Sequence, residues 1–194
     1  MIPNTSKRRQ ICLAAASAGA ALALTACGGE ADSPVAADSP DYSAAVEAAP
    51  PPLSALYADG PAIVEGELAA YEDQIAALHG YPIVVNKWAS WCGPCRAEFP
   101  HLQEQAAAHA DEVAFLGVNS DDSTAAAETF LRENPVPYPS ISDPDKVIAS
   151  ALASVEFPTT VFYDKTGGIV HTQPGPYSSE EELAADIERY ALGS

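Results

Sequence analysis

Apolar residues recur at intervals of three and four positions between residues 67 and 79. This spacing places them on one face of a helix, and Gly80, directly after the segment, is typical of a helix end. Ser123, preceded by Asp121 and Asp122, is a capping residue type before a further amphipathic segment. Periodicity or helix-forming composition predicts four more helices, at residues 94–109, 123–133, 145–153 and 178–191.

Short runs of aliphatic and β-branched residues alternate with these helices. Buried strands are predicted at residues 82–88 and 113–118, and a brief extended piece at 140–142. Two further runs, 159–163 and 168–172, flank a polar turn and indicate a hairpin. Strands that alternate with helices and end in a hairpin and a helix predict an α/β fold, with a mixed central sheet flanked by helices.

The first 26 residues have the pattern of an export signal, with Lys7, Arg8 and Arg9 before an Ala-rich apolar stretch at 11–24. The stretch is too short to cross a bilayer. Leu24-Thr25-Ala26-Cys27 resembles a bacterial lipobox, which predicts cleavage before Cys27 and lipid attachment to it. An ordinary secretory signal is the alternative, and the arginine pair leaves twin-arginine export open beside general secretion.

Residues 28–52 contain five prolines and five acidic residues but no Lys or Arg. This composition predicts a disordered tether over 27–52, which leaves residues 53–194 as one domain of ordinary size. The whole chain carries 27 acidic against nine basic residues, a formal net charge of -18. Nucleic acid and anionic lipid surfaces are therefore poor partners, and the membrane is expected to be reached through the lipid anchor.

The candidate chemistry is the sequence Cys92-Gly93-Pro94-Cys95, between a predicted strand and a predicted helix. At a helix N-terminus, free N–H groups and the helix dipole favour the thiolate of Cys92, and Cys95 lies on the same face within disulfide reach. A structural zinc site would need a second ligand pair, and a purely structural disulfide across so short a loop would stabilise little. The pattern therefore predicts a redox pair.

Three segments, 84–100, 115–123 and 157–170, carry a resemblance to the thioredoxin superfamily. More narrowly, the chain resembles the TlpA/ResA-like membrane-tethered thiol-disulfide oxidoreductases over about residues 67–191. The resemblance implies a thioredoxin-like fold with an extra helix-strand insertion at 121–142, which would shape partner recognition. Dithiol chemistry of this kind requires neither an organic cofactor nor a metal.

The resemblance also implies roles for single residues. Cys92 matches the attacking cysteine, Cys95 the resolving cysteine, and Pro158 the cis-proline beside which an extended substrate pairs with the backbone. Trp88 matches an aromatic residue beside the motif, and Pro100 the proline that bends the active-site helix. The expected substrate-binding residues surround the cysteine pair and the cis-proline: Trp91, Gly93, Pro94, Phe157 and Pro158.

Two positions depart from the family pattern. Asn86 stands where cytosolic thioredoxins have a buried aspartate that accepts the proton of the resolving thiol, so another base is needed. Glu98 matches the acid of the tethered family and is the expected replacement, although a solvated carboxylate that complements the helix dipole is the alternative. Phe157 is bulky where Thr or Val is common, which changes the expected shape of the substrate groove.

Together these features predict an extracytoplasmic protein-disulfide reductase, anchored to the bacterial membrane, that acts on exported proteins or in cytochrome c maturation and is re-reduced by a membrane electron donor. A disulfide-forming oxidase is one alternative. A peroxiredoxin-like peroxidase would need Pro and Thr at the positions of Val85 and Ala89. A copper chaperone could use both thiolates and His171, but that family spaces its cysteines by three residues.

Overall fold

The computed structural model describes residues 42–193, which form a six-stranded sheet with helices between the strands. The strands are β1 Ile63–Val64, β2 Ile83–Trp88, β3 Ala114–Ser120, β4 Ser140–Asp143, β5 Thr159–Tyr163 and β6 Ile169–Pro174. The helices are α1 Ser43–Ala48, α2 Pro51–Tyr57, α3 Glu67–Ala77, α4 Gly93–His109, α5 Thr124–Glu133, α6 Val147–Ala151 and α7 Glu180–Asp186. A π-helical segment, Ile187–Leu192, continues α7.

The sheet order is β1-β4-β3-β2-β5-β6. The first four strands in this order are parallel to their neighbours, whereas β5 and β6 run antiparallel, so the predicted mixed α/β sheet is confirmed. Every residue of β2, β3, β4 and β5 is buried. Strands covered on both faces favour apolar side chains on both, which explains the apolar runs at the start of β2 and the end of β5, whereas the buried polar residues of β2 and β4 depend on hydrogen bonds.

Helix α4 begins directly after the loop that follows β2. Cys92 is its N-cap residue with extended backbone, and Pro94 lies in the first turn, where a missing N–H costs no helical hydrogen bond. The helix buries Phe99 against Trp88, with ring centroids 5.1 Å apart, and against Phe130 of α5 at 4.7 Å. This aromatic cluster fixes the first turns of α4 over the carboxyl end of β2.

Part of the predicted tether is helical, because residues 43–48 form α1 and residues 51–52 begin α2. In α2, Leu53 and Leu56 are buried, and the Tyr57 hydroxyl donates to the carbonyl of Val113 at 2.8 Å. Proline at the start of a helix is compatible with helical backbone, so a proline-rich composition was misleading here. The predicted signal at 1–26, Cys27 and the tether up to residue 41 lie outside the described residues.

Other differences concern boundaries. Strand β1 has only two residues, too few for any periodicity to reveal. Strand β3 continues to Ser120, and α6 is shorter than predicted because Lys146, with φ of 61°, interrupts helical backbone just before it. Ser123 caps α5 as expected, since its hydroxyl accepts from the N–H of Ala126 at 3.3 Å.

Candidate active site

Cys92 and Cys95 form a disulfide at the N-terminus of α4, with their Cα atoms 5.3 Å apart. The Sγ atom of Cys92 accepts a hydrogen bond from the N–H of Cys95 at 3.1 Å. Both cysteines are buried, with 3% and 0% exposure. The first turn of the helix therefore directs an N–H group at the Cys92 sulfur, and the same N–H would stabilise a thiolate there once the disulfide is reduced.

Exposed residues surround the buried sulfurs. Trp91 is 58% exposed, and Gly93 and Pro94 are exposed on the other side of Cys92 in the chain. The Trp91 ring lies against the ring of Phe157, with centroids 5.3 Å apart. The Phe157-Pro158 peptide bond is cis, as the resemblance implied, and Pro158 is buried. The structure thus places Phe157 against Trp91, the residue directly before Cys92.

The loop before Cys92 is held by the segment between β3 and α5. The carboxylate of Asp122 accepts from the N–H of Ser90 at 2.6 Å, and the Trp91 indole N–H donates to the carbonyl of Asp121 at 2.8 Å. Asn119 also donates to Asp122, at 3.1 Å. The sequence predicts only a helix-capping role for these two aspartates, because contacts to a loop about thirty positions away leave no local pattern.

Glu98 is buried beneath the site, with 1% exposure. Its Oε1 atom accepts from the side-chain amide of Asn86 at 2.7 Å, and its Oε2 atom accepts from the N–H of Tyr177 at 3.2 Å. Burial raises the pKa of this carboxyl to about 7, although the two hydrogen bonds lower it. The alternative of a solvated first-turn carboxylate is therefore wrong. Because Glu98 follows Cys95 by three residues in α4, both lie on the same face of the helix.

Lys87 is a charged residue near the site that no sequence motif indicates. It belongs to β2 and is only 1% exposed. Its Nζ atom donates to the carbonyl of Ser154 at 2.9 Å and lies 3.9 Å from the centroid of the Phe157 ring. Burial lowers its pKa to about 8, against the opposing effect of the acidic residues Asp143 and Glu156.

The described part of the chain contains no cluster of three or more His, Cys, Asp or Glu side chains that could hold a metal ion. His171, considered above as a copper ligand, instead stacks on the ring of Tyr190 with centroids 4.0 Å apart. Within residues 42–193, no helix is long and apolar enough to span a membrane.

The mixed sheet, the Cys-Gly-Pro-Cys pair at a helix start and the neighbouring cis-proline define a thioredoxin-like redox domain. The Redoxin family model matches residues 66–187, and the chain belongs to this family.

Relatives with assigned names agree with this class. The chain is 27% identical over 118 residues to the thiol-disulfide oxidoreductase ResA of Bacillus subtilis, covering 60% of this chain and 66% of ResA. It is 40% identical over 97 residues to the thiol:disulfide interchange protein DsbE of Pseudomonas aeruginosa, covering 50% of this chain and 52% of DsbE. The chain thus spans between half and two thirds of the length of these relatives. The implied TlpA/ResA-like resemblance is confirmed at the level of family and fold.

A solved structure shows the same fold. A secreted Mycobacterium tuberculosis disulfide oxidoreductase, homologous to Escherichia coli DsbE, superimposes with a TM-score of 0.54 and 30% sequence identity. The similarity covers 59% of this chain and 85% of that protein.

Proposed function

We propose that this protein is a thiol-disulfide oxidoreductase that reduces disulfides of exported proteins outside the cytoplasm. The observation that carries the proposal is the Cys92–Cys95 disulfide at the start of α4, with an N–H group directed at the Cys92 sulfur. Relatives named thiol-disulfide oxidoreductases and a secreted structural neighbour support it.

The reaction is a dithiol-disulfide exchange. The Cys92 thiolate attacks one sulfur of the partner's disulfide, and the other partner sulfur leaves as a thiolate that takes up a proton. The Cys95 sulfur then attacks Cys92 in the mixed disulfide, which forms the Cys92–Cys95 bond and releases the second partner thiol. Two electrons and two protons pass to the partner. A membrane electron donor would restore the dithiol for the next cycle.

Glu98 is the proposed proton acceptor for Cys95. The resolving thiol must lose a proton before it attacks, and Asn86 cannot act as a base at neutral pH. Glu98 lies on the same helix face as Cys95, and its pKa of about 7 is suited to exchanging a proton near neutral pH.

The proposed substrate site comprises Trp91, Gly93, Pro94, Phe157 and Pro158. Within residues 42–193 the backbone N–H and carbonyl of Phe157 form no hydrogen bond, and Phe157 is only partly exposed beside Trp91. An extended segment of a partner could therefore pair with this backbone, in the manner of an added strand. The exposed Trp91 ring would then cover the segment next to the disulfide.

The proposed location rests on the sequence. The lipobox-like residues 24–27 support a lipid on Cys27, and the acidic, proline-rich composition after it supports a tether that holds the domain near the membrane. Such a placement suits a reductase whose electrons come from a membrane protein.

Trapping in cells tests the assigned roles. Cys95→Ser should accumulate mixed disulfides with exported proteins, because the adduct forms but is not resolved, whereas Cys92→Ser should trap almost none. The variant lacking both cysteines is the control for nonspecific adducts. Thiols are alkylated at harvest and adducts are separated on non-reducing gels. Trapping by Cys92→Ser alone would reverse the assignment, and trapping by neither variant would contradict the proposed function.

A further inference from the structure

A cavity of about 400 Å³ opens between α6 and the segment that precedes β5. Its walls include Lys87, Lys146, Ser154 and Phe157 together with one acidic residue, Asp145, and the rest of its lining is small or apolar. Nine Lys and Arg residues occur in the chain, three of them at 7–9, so two of the remaining six face this one cavity.

Lys87 is a buried charge without a partner of opposite sign. Among the described residues its ammonium group donates to one acceptor, the carbonyl of Ser154 at 2.9 Å, so donor capacity is left over. Among residues 42–193, no carboxylate lies within 4.0 Å of its Nζ atom. A buried ammonium without a counter-ion is costly, which makes the position one that an anion would stabilise.

A second polar group at the cavity is also unsatisfied. The hydroxyl of Ser154 is buried, since the residue is 7% exposed, and it has no hydrogen-bond partner. Buried hydroxyl groups are normally hydrogen-bonded. The Ser154 hydroxyl and the Lys87 ammonium are therefore two donor groups that an additional acceptor would satisfy.

The acidic residues nearby act on Lys87 only from a distance, because none of the described carboxylates lies within 4.0 Å of its Nζ atom. Asp143 is engaged elsewhere, because its carboxylate accepts from the N–H groups of Ile148 and Ala149 and from the hydroxyl of Ser120. Glu156 and Asp145 are exposed to solvent. Lys146 is itself paired with Asp121, at 3.1 Å. It therefore contributes less than Lys87 to the positive electrostatic potential inside the cavity.

The cavity adjoins the redox site through one aromatic ring. Phe157 contacts the ammonium of Lys87 and the ring of Trp91, which neighbours Cys92. We propose that this cavity is a subsite for the carboxylate of an Asp or Glu in the polypeptide substrate, close in sequence to the cysteine that reacts with Cys92. The inference rests on the proposed function and names the kind of substrate that the same site prefers.

Matched peptide disulfides test the subsite. Short peptides carry Glu at successive positions flanking a cysteine, and each has a counterpart with Gln at that position. The second-order rate constant for reduction by the reduced full chain is measured for each peptide. A carboxylate held by a charge-assisted hydrogen bond should give at least one Glu peptide a rate about tenfold above its Gln counterpart. The net charge of -18 acts in the opposite direction, so a preference for Glu is not expected without a local cation.

Substitutions at the cavity test whether the preference for Glu peptides over Gln peptides depends on the residues that line it. Lys87→Met should reduce the Glu-to-Gln ratio to one or below, and Ser154→Ala should lower it partway. Lys165→Met, which removes an exposed lysine in the turn between β5 and β6, should retain the wild-type ratio. A ratio near one for every wild-type pair, or a ratio kept by Lys87→Met, would overturn the subsite while leaving the proposed function intact. Failure of the wild type to reduce any peptide would instead count against the proposed function, and the subsite with it.

Discussion

The buried carboxyl of Glu98 should make the stability of the protein depend on pH in a defined direction. Its pKa rises from 4.5 in the unfolded chain to about 7 in the folded protein, mainly because of burial. The folded state therefore favours the protonated form. The associated stability is fully present below about pH 4.5 and is lost as the pH rises through about 7. Each pKa unit corresponds to about 1.4 kcal/mol, so between pH 5 and pH 8 the loss is roughly 2 to 3 kcal/mol.

Glu98→Gln removes this titration. Glutamine offers a single acceptor oxygen to the two donors, Asn86 and the N–H of Tyr177, so the variant also loses about 1 to 3 kcal/mol at every pH. That constant loss does not affect the slope. The free energy of unfolding of the oxidised protein is measured by urea denaturation across the pH range, for wild type and variant.

The informative quantity is the difference in the free energy of unfolding between wild type and Glu98→Gln at each pH. As the pH rises, wild type should lose stability relative to Glu98→Gln. Glu104→Gln, which changes an exposed carboxylate of the same helix, should follow the wild-type curve. A difference that stays constant with pH would show that the folded state does not hold Glu98 protonated, and a wild type that gains stability relative to Glu98→Gln would refute the effect of burial.

Two further expectations concern redox direction and location. The Gly-Pro pair between the cysteines places the reduction potential of the disulfide nearer the roughly -270 mV of thioredoxin than the roughly -120 mV of DsbA, and equilibration with glutathione buffers measures it; a DsbA-like value would assign the protein to disulfide formation instead. Metabolic labelling with a fatty acid should mark the wild type but not Cys27→Ser, and equal labelling of both proteins would contradict the anchor.

The elements that the sequence predicts well are those whose local pattern agrees with their burial. The apolar stretches of β2 and β5 are predicted because both strands are covered on both faces. The start of α5 is predicted because Ser123 is a capping residue type, and its hydroxyl accepts the capping hydrogen bond. Helices α1 and α2 could not be predicted from composition. Their stability comes from tertiary contacts, such as the Tyr57 hydroxyl on Val113, which lies 56 positions away.

The same distinction applies to the site. Cys92 and Cys95 are readable because the helix start and the spacing of the pair are local properties of the chain. Tyr177 donates to Glu98 through its backbone N–H, a group that every residue except proline possesses. The residue type at position 177 therefore could not predict this hydrogen bond. The position of Lys87 at a cavity could not be predicted either. A single lysine within a strand does not indicate that residues of α6 and Phe157 line a cavity beside it.

A hydrogen bond joins Asn86, one of the two departures from the family pattern, to Glu98, the expected replacement for the missing acid. An aspartate at position 86 would place a second carboxylate within hydrogen-bond distance of Glu98, in a buried site where two negative charges cannot both persist and one would have to hold a proton. Asparagine instead donates to Glu98 from its amide nitrogen and lowers the pKa of the carboxyl against the effect of burial. In the proposed mechanism the proton acceptor lies on the helix and the strand position holds a neutral donor, so Asn86 and Glu98 together would replace the buried aspartate of cytosolic thioredoxins.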